Sequence, residues 1–207
     1  MKEFWDERYS SDDYAYGVDA NEFFKTELHE LQPGTILLPA EGEGRNAVFA
    51  AKNGWRVEAF DISSEGKNKA MKLAQMNNVT IDYYLGELSQ LSFNPESFDA
   101  IGLIFAHLPS SARRANHRAL AKLLKKGGII ILEGFSKSHT DFQKQNPSVG
   151  GPSNPDALYT TQEIAEDFEG FEIINLEEKM IELSEGAYHV GTGSVVRFVG
   201  RKKLGRS

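Results

Sequence analysis

The stretch Thr35-Ile36-Leu37-Leu38-Pro39-Ala40-Glu41-Gly42-Glu43-Gly44-Arg45-Asn46-Ala47 decides the fold. Its first four residues are a short, continuously apolar run, the pattern of a strand buried on both faces of a parallel sheet. The turn over 41–44 then sends the chain into a helix predicted for residues 46–53 and stopped by Gly54. Upstream, Asn21 caps a helix whose apolar stripe is Phe24, Leu28 and Leu31, and Pro33-Gly34 ends it. Downstream the alternation repeats. Residues 55–60 form a strand that stops at Asp61, and Ser63 or Ser64 caps a helix running to about Met76. Strands follow over 80–84 and 98–104. A helix opened by Ser110 or Ser111 places Lys125 and Lys126 at its carboxyl end, with Gly127 as its stop. Ile129 to Leu132 is the most apolar strand of the chain. Strand–helix units repeated in this way predict an α/β, doubly wound, Rossmann-like sheet with right-handed crossovers.

The remainder departs from that rhythm. Residues 135–159 are polar and broken by Pro147, Gly150, Gly151, Pro152 and Pro155. They are expected to form a long loop, a second lid with Phe135 nearest the site. Thr160 and Glu163 make a capping box for a last helix through Phe168. Residues 171–183 and 188–200 read as two long strands of an antiparallel hairpin turning near Glu185-Gly186. The sheet is therefore mostly parallel, with five parallel strands and a C-terminal antiparallel hairpin. Only the basic tip beyond Gly200 reads as frayed. Residues 1–207 are expected to be one domain, with residues 1–20 as an N-terminal lid.

Composition narrows the function. The chain has 207 residues, 23 Lys and Arg against 30 Asp and Glu, and a formal net charge of −7. That balance argues against nucleic acid as a partner, because phosphate binding needs a basic face. There is no cysteine, which removes disulfides, thiolate metal sites and thiol nucleophiles together. No apolar run approaches the roughly 18 residues that cross a bilayer, and Met1-Lys2-Glu3 is no signal peptide. The expectation is a cytoplasmic protein with no membrane partner, a monomer or weak homodimer.

Parallel sheets of this kind bind ligands outside the carboxyl ends of their strands. The first such loop holds Gly42 and Gly44, and Asp61 closes the second strand at about the 20-residue offset of a ribose-binding acid. This pattern suits a nucleoside cofactor, either a dinucleotide or S-adenosylmethionine. Glu41 and Glu43 stand where a pyrophosphate would settle, and like charges repel. A cofactor carrying an ammonium and a sulfonium meets no such objection, so the electrostatics favour S-adenosylmethionine.

Pro39-Ala40-Glu41-Gly42-Glu43-Gly44-Arg45-Asn46-Ala47, Ala59-Phe60-Asp61-Ile62-Ser63 and Leu124-Lys125-Lys126-Gly127-Gly128 resemble class I S-adenosylmethionine-dependent methyltransferases. The Gly-Arg-Asn-Ala continuation, with Phe4-Trp5-Asp6-Glu7-Arg8-Tyr9 and Glu185-Gly186-Ala187-Tyr188-His189, resembles the small bacterial branch that includes tellurite-resistance methyltransferases. The resemblance implies the seven-stranded methyltransferase fold. It also implies that Glu41, Gly42 and Gly44 line the methionine part of the cofactor. Asp61 would hold the ribose and Ile62 the adenine, with Glu87 and Leu88 at the adenine edge. Phe105, Ala106 and His107 would face the sulfonium and the acceptor. Two positions depart from the family pattern: Leu38 replaces its strand carboxylate, and Ala40 its first glycine.

His107 follows an apolar strand, and its expected part is a base or an orienting donor beside the transferred methyl. His189 on the hairpin is a second candidate at the same mouth. Trp5, Tyr9, Tyr14 and Tyr16 either close over the cofactor or plug the first helix onto the sheet. His29, His117 and His139 read as exposed, Arg113 and Arg114 as a solvated helix face, and no metal site is expected. The function expected is methyl transfer to a small acceptor: a thiol, a chalcogen oxyanion or another small nucleophile. A nicotinamide-dependent oxidoreductase and a non-catalytic cofactor-binding protein are the rival readings.

Overall fold

The computed structural model of the chain describes residues 1–204. Two helices, α1 (Lys2–Tyr9) and α2 (Glu22–His29), lead into β1 (Thr35–Pro39), α3 (Arg45–Lys52), β2 (Arg56–Asp61) and α4 (Ser64–Met76). Then come β3 (Asp82–Leu85), β4 (Phe98–Ile104), α5 (Ser110–Leu123), β5 (Leu124–Phe135), α6 (His139–Gln145), α7 (Thr161–Asp167), β6 (Phe171–Glu185) and β7 (His189–Lys202). The seven strands lie in the order β3-β2-β1-β4-β5-β7-β6. Strands β1 to β5 pair parallel, and β7 runs antiparallel between β5 and β6. Strand order reverses between β1 and β4, which opens a crevice at their carboxyl ends. No helix among the described residues is long and apolar enough to cross a membrane. Residues 205–207 of the basic tip lie outside the described residues, and β7 itself continues to Lys202.

Local signals set many boundaries. The Asn21 side chain accepts the Phe24 N–H at 2.9 Å, and Ser63 accepts that of Gly66 at 3.0 Å. Thr160 and Glu163 close their capping box on α7. Strand β1 feeds two cores. Ile36 and Leu38 pack with Phe24, Leu28, Ala47 and Leu73 on one face, and Leu37 packs with Ile101, Leu120, Ile130 and Phe198 on the other.

Three expectations are corrected by tertiary contacts. Helix α5 stops at Leu123, short of Gly127, and Leu124 already pairs with Phe98 as part of β5. Leu124 is fully buried there, while Lys125 reaches sideways to Asp99 at 2.8 Å, so both lysines lie on the strand and not on a helix end. Residues 135–159 are no open loop: they contain α6 and two 3₁₀ turns, and Phe135, Val149 and Leu158 bury against Leu183 and Val195. His117 and His139 are buried, as is Arg113. The cause at α5 is the buried Asp167 carboxylate, which draws Arg113 Nε to 2.7 Å and His117 Nδ1 to 2.9 Å. Arg114 does stay exposed, and it pairs with Glu166.

Gly102 in β4 tests the packing. A Cβ built there would stand 2.6 Å from Leu38 Cδ2 and 2.9 Å from Phe24 Cε2, both in fully buried side chains. Gly102→Ala should destabilise by about 1–3 kcal/mol, the usual cost of overpacking. Thermal unfolding would show it, and an unchanged midpoint would mean that this layer has slack.

Candidate functional site

The turn after β1 is built from residues in the left-handed region: Ala40 at φ +52°, Gly42 at +61° and Gly44 at +87°. Ala40 thus holds a left-handed conformation that glycine adopts at no steric cost. Gly44 lies so close to α4 that a Cβ would come within 2.5 Å of Ala70 Cβ. The turn is fixed from three sides. Asp61 accepts the Gly42 N–H at 3.0 Å and the Ser63 N–H at 2.8 Å, and Tyr83 donates to the Gly42 carbonyl at 2.6 Å. Burial raises the carboxyl pKa of Asp61, and the two N–H donors oppose that shift. Each carboxylate oxygen keeps acceptor capacity beyond these bonds.

Glu41 and Glu43 part company. The Glu41 carboxylate lies on the first turn of α3, accepting the Ala47 N–H at 2.7 Å. Burial pushes its pKa up to about 7, against the pull of Ala47 and Arg45. Glu43 turns away, accepting the Ala15 N–H at 2.8 Å and pairing with Lys69 at 2.6 Å. Only Glu41 therefore stands on the anion-attracting helix end, and it fills that place with a carboxylate of its own.

Tyr9 of α1 rests directly on this turn. A Cβ on Gly42 would meet its hydroxyl at 2.6 Å, and one on Gly66 would meet its ring at 3.1 Å. Trp5 stacks on the outer face of Tyr9 at 5.5 Å. Helix α1 is held there by Asp6, which accepts from Ser63 Oγ at 2.7 Å. Tyr14 packs with Lys69, donating to its carbonyl at 3.2 Å.

A second cluster sits at the ends of β4 and β5. Phe105 has φ +51°, a strained conformation for a bulky residue, and its ring lies 4.7 Å from both Phe135 and His189. Phe135 is itself buried, sandwiched between His107 and His139. Ala106 turns into the core, its carbonyl accepting the Tyr159 hydroxyl at 2.7 Å. His107 has both nitrogens engaged: Nδ1–H donates to Ala157 O at 2.8 Å, and Nε2 accepts the Phe135 N–H at 3.0 Å. Burial lowers its pKa to about 4. It is a neutral, fully bonded bracket between β5 and the 155–157 turn, with no nitrogen open to a substrate proton. Tyr16 lies 4.5 Å from the His189 ring, and its hydroxyl accepts from Arg8 at 3.0 Å. Ile62 is half-buried beside Asp61, Leu88 is partly buried against the core that holds Phe60 and Phe98, and Glu87 caps an exposed turn.

Sequence reading missed the charge network joining the two clusters. Arg45 Nη2 pairs with Glu185 Oε2 at 3.0 Å, and Glu185 also receives His189 Nδ1 at 2.8 Å. Asn21 Nδ2 donates to Glu185 at 3.1 Å and to Glu133 at 2.7 Å, while Arg197 Nε reaches Glu133 at 2.6 Å. A signal existed: Glu133 follows the apolar run 129–132 and Arg197 interrupts the apolar run 195–199, and they face each other in the β5–β7 register. No group of three acidic or histidine side chains among the described residues could hold a metal.

Residues 36–128 match the family model for a methyltransferase domain. Uncharacterized proteins of Mycobacterium, among them Rv1405c of Mycobacterium tuberculosis, are 29% identical over 140 residues, covering 62% of this chain. The chain spans about half the length of these curated relatives. A S-adenosylmethionine-dependent methyltransferase from Methanosarcina mazei superposes with a TM-score of 0.71 at 19% identity, covering 90% of this chain and 100% of that one. TehB from Haemophilus influenzae gives 0.71 at 16%, covering 98% and 67%. A chain solved in work on conversion of a disulfide bond into a thioacetal group during echinomycin biosynthesis gives 0.80 at 18%, covering 100% and 93%. The sheet order and these superpositions show the seven-stranded methyltransferase fold, and residues 36–128 within it match the methyltransferase-domain model.

Glu41 provides a pH test of the site. Its folded pKa of about 7 lies above its ordinary 4.5, so its contribution to stability is full below about pH 4.5 and lost as pH rises through about 7. Glu41→Gln should flatten that part of the profile, read as melting temperature between pH 4.5 and 8. Parallel profiles for the two proteins would show that Glu41 ionises without cost.

Proposed function

We propose that the chain transfers a methyl group from S-adenosylmethionine to a small-molecule acceptor. The observation that carries this is the pair of carboxylates at one turn: Asp61 bonded to Gly42, and Glu41 on the end of α3. The donor set suits the cofactor. Asp61 accepts the ribose hydroxyls, Ile62 and Leu88 flank the adenine with Glu87 at its edge, and Glu41, Gly42 and Gly44 line the cationic methionine part. Phe105 and Tyr16 face the reacting centre, and residues 1–20 act as the lid, with Tyr9 already seated on the glycine turn. Bound there, S-adenosylmethionine supplies a methyl group activated by its sulfonium. The protein's own part is then to orient, to exclude water and to hold charge.

The same geometry weighs against a nicotinamide dinucleotide. Its pyrophosphate would have to displace the Glu41 carboxylate from the Ala47 N–H, exchanging a satisfied anion for another on a desolvated helix end. Titration calorimetry with S-adenosylmethionine, S-adenosylhomocysteine and NAD separates the readings: the first two should bind and NAD should not. Heat from NAD alone would reverse the assignment.

Asp61→Ala should weaken S-adenosylhomocysteine binding by roughly 1.5–3 kcal/mol, the worth of hydrogen bonds to a charged group. It should also cost about 1–3 kcal/mol of stability, because the Gly42 and Ser63 N–H groups lose their acceptor. Undiminished affinity in the folded variant would remove Asp61 from the ribose site.

A further inference from the structure

Four histidines of this chain are buried or half-buried, and their nitrogens are spent differently. His107 and His139 each bond through both ring nitrogens, and His117 pairs with Asp167 deep between α5 and α7. His117 and His189 each have one nitrogen bonded and the other without a partner among the described residues, but His117 Nε2 is buried, whereas His189 lies against the strained Phe105. Its Nδ1 meets Glu185 Oε2 at 2.8 Å, and Glu185 is itself fixed by Arg45 and Asn21. An ionised carboxylate accepts only from N–H, so this bond puts the proton on Nδ1 and leaves the lone pair on Nε2. A cavity of about 340 Å³ opens beside Tyr16 and Glu185, two of the residues packed around the imidazole.

We propose that His189 Nε2 is the proton acceptor of the methyl transfer, with Glu185 as its positioning residue, and that the methyl acceptor is a neutral hydroxyl or thiol on a planar apolar body. This rests on the methyltransferase reading above and adds the acceptor's chemistry to it. In the transfer the acceptor's O–H or S–H bond breaks and its proton goes to Nε2. The new bond to the methyl carbon forms as the carbon–sulfur bond of the cofactor breaks, its electron pair staying on sulfur. The proton then leaves His189 for solvent. An acceptor that is already anionic would have no use for this base.

The surroundings support the assignment. The groups facing His189 are Glu185 on β6, Arg45 on α3, Arg8 on α1, Tyr16 before α2, and the two neutral imidazoles His107 and His139 across Phe135. Burial and the two arginines lower the histidine pKa, Glu185 raises it, and burial prevails, so the imidazole is neutral at pH 7. Glu185 stays ionised, its pKa pulled down to about 2 by His189 and Arg45. Two arginines also favour an acceptor that becomes anionic as it loses its proton over an ammonium that starts cationic. The rings of Tyr16 and Phe105 offer flat apolar walls.

The test has two arms. Nitrogen NMR of ¹⁵N-histidine-labelled protein, with the His189 signal assigned from its loss in His189→Gln, should show a protonated Nδ1 and a bare Nε2 at pH 7. A protonated Nε2 overturns the proposal whether or not any acceptor is found. In the second arm, S-adenosylhomocysteine release is followed with 2-naphthol, benzyl mercaptan and selenite. One of the first two should turn over, with a low-pH limb in kcat that His189→Gln abolishes along with about 100-fold or more of the rate. Glu185→Gln should lower kcat more than it changes KM. Turnover of selenite alone, or a His189→Gln protein that binds S-adenosylhomocysteine and keeps full rate, overturns the proposal. Failure of both protonated probes in protein that binds S-adenosylhomocysteine overturns it too and leaves the methyltransferase reading standing. Failure to bind S-adenosylhomocysteine ends both.

Discussion

Glu133 carries a carboxylate into the interior of a seven-stranded sheet, where its desolvation is tolerable only if both oxygens are paired. Burial raises its pKa, and Arg197 and Asn21 pull it back. Those two partners come from distant parts of the chain. Arg197 arrives with β7, and Asn21 with the segment that caps α2. Because Asn21 also donates to Glu185, and Glu185 holds Arg45 and His189, one buried charge sets the relative position of the N-terminal segment, the start of α3 and the hairpin. The walls of the crevice are thus aligned by an electrostatic demand that arises behind it. Removing Arg197 would leave the Glu133 carboxylate without a cation, so this buried pair acts as a unit.

The hairpin turn adds a backbone clasp to this arrangement. The Ala187 N–H donates to Ala15 O at 3.0 Å, and Gly186 lies so near that a Cβ would come within 2.3 Å of the same oxygen. Arg8 lies over the Tyr188 ring at 3.8 Å. The N-terminal segment and the hairpin therefore hold each other, and the aromatic residues between them are shared. Tyr9 belongs to the glycine turn and Tyr16 to His189, so one short segment reaches both halves of the site.

Features with a local cause were legible in the sequence. Asn21, Ser63 and the Thr160–Glu163 pair announce helix starts because the cap is made within three residues. The limits of β4 match its apolar run from Phe98 to Ile104. The glycine turn and Asp61 were readable for the same reason, since strand–turn–helix order brings them together. What escaped depends on partners far along the chain. The end of α5 is decided by Phe98 and Asp99, and the burial of His117 by Asp167. The compact cap over 135–159 rests on scattered residues, Phe135, Val149 and Leu158, with no helical or strand period of their own. Glu41 and Glu43 are neighbours of like charge, yet their fates differ because Lys69 reaches only one of them. The two nitrogens of His107 could not be assigned before the 155–157 turn was placed above it.

The place of β7 in the sheet bears on the order in which the protein can assemble during synthesis. This strand lies between β5 and β6 yet is the last to be made. Until it emerges, β5 is an open edge, and Glu133 has no arginine. Open edges invite pairing with other chains, and an unpaired acid on such an edge discourages it. The charge that later aligns the crevice thus serves a nascent chain as a guard, dismissed when Arg197 docks. Asn21 and Ala15 are made before their partners and are among the last residues to find their place, because they await β5 and the hairpin. The crevice framed by the segment before α2 and by the hairpin is assembled only when translation of this sheet is complete.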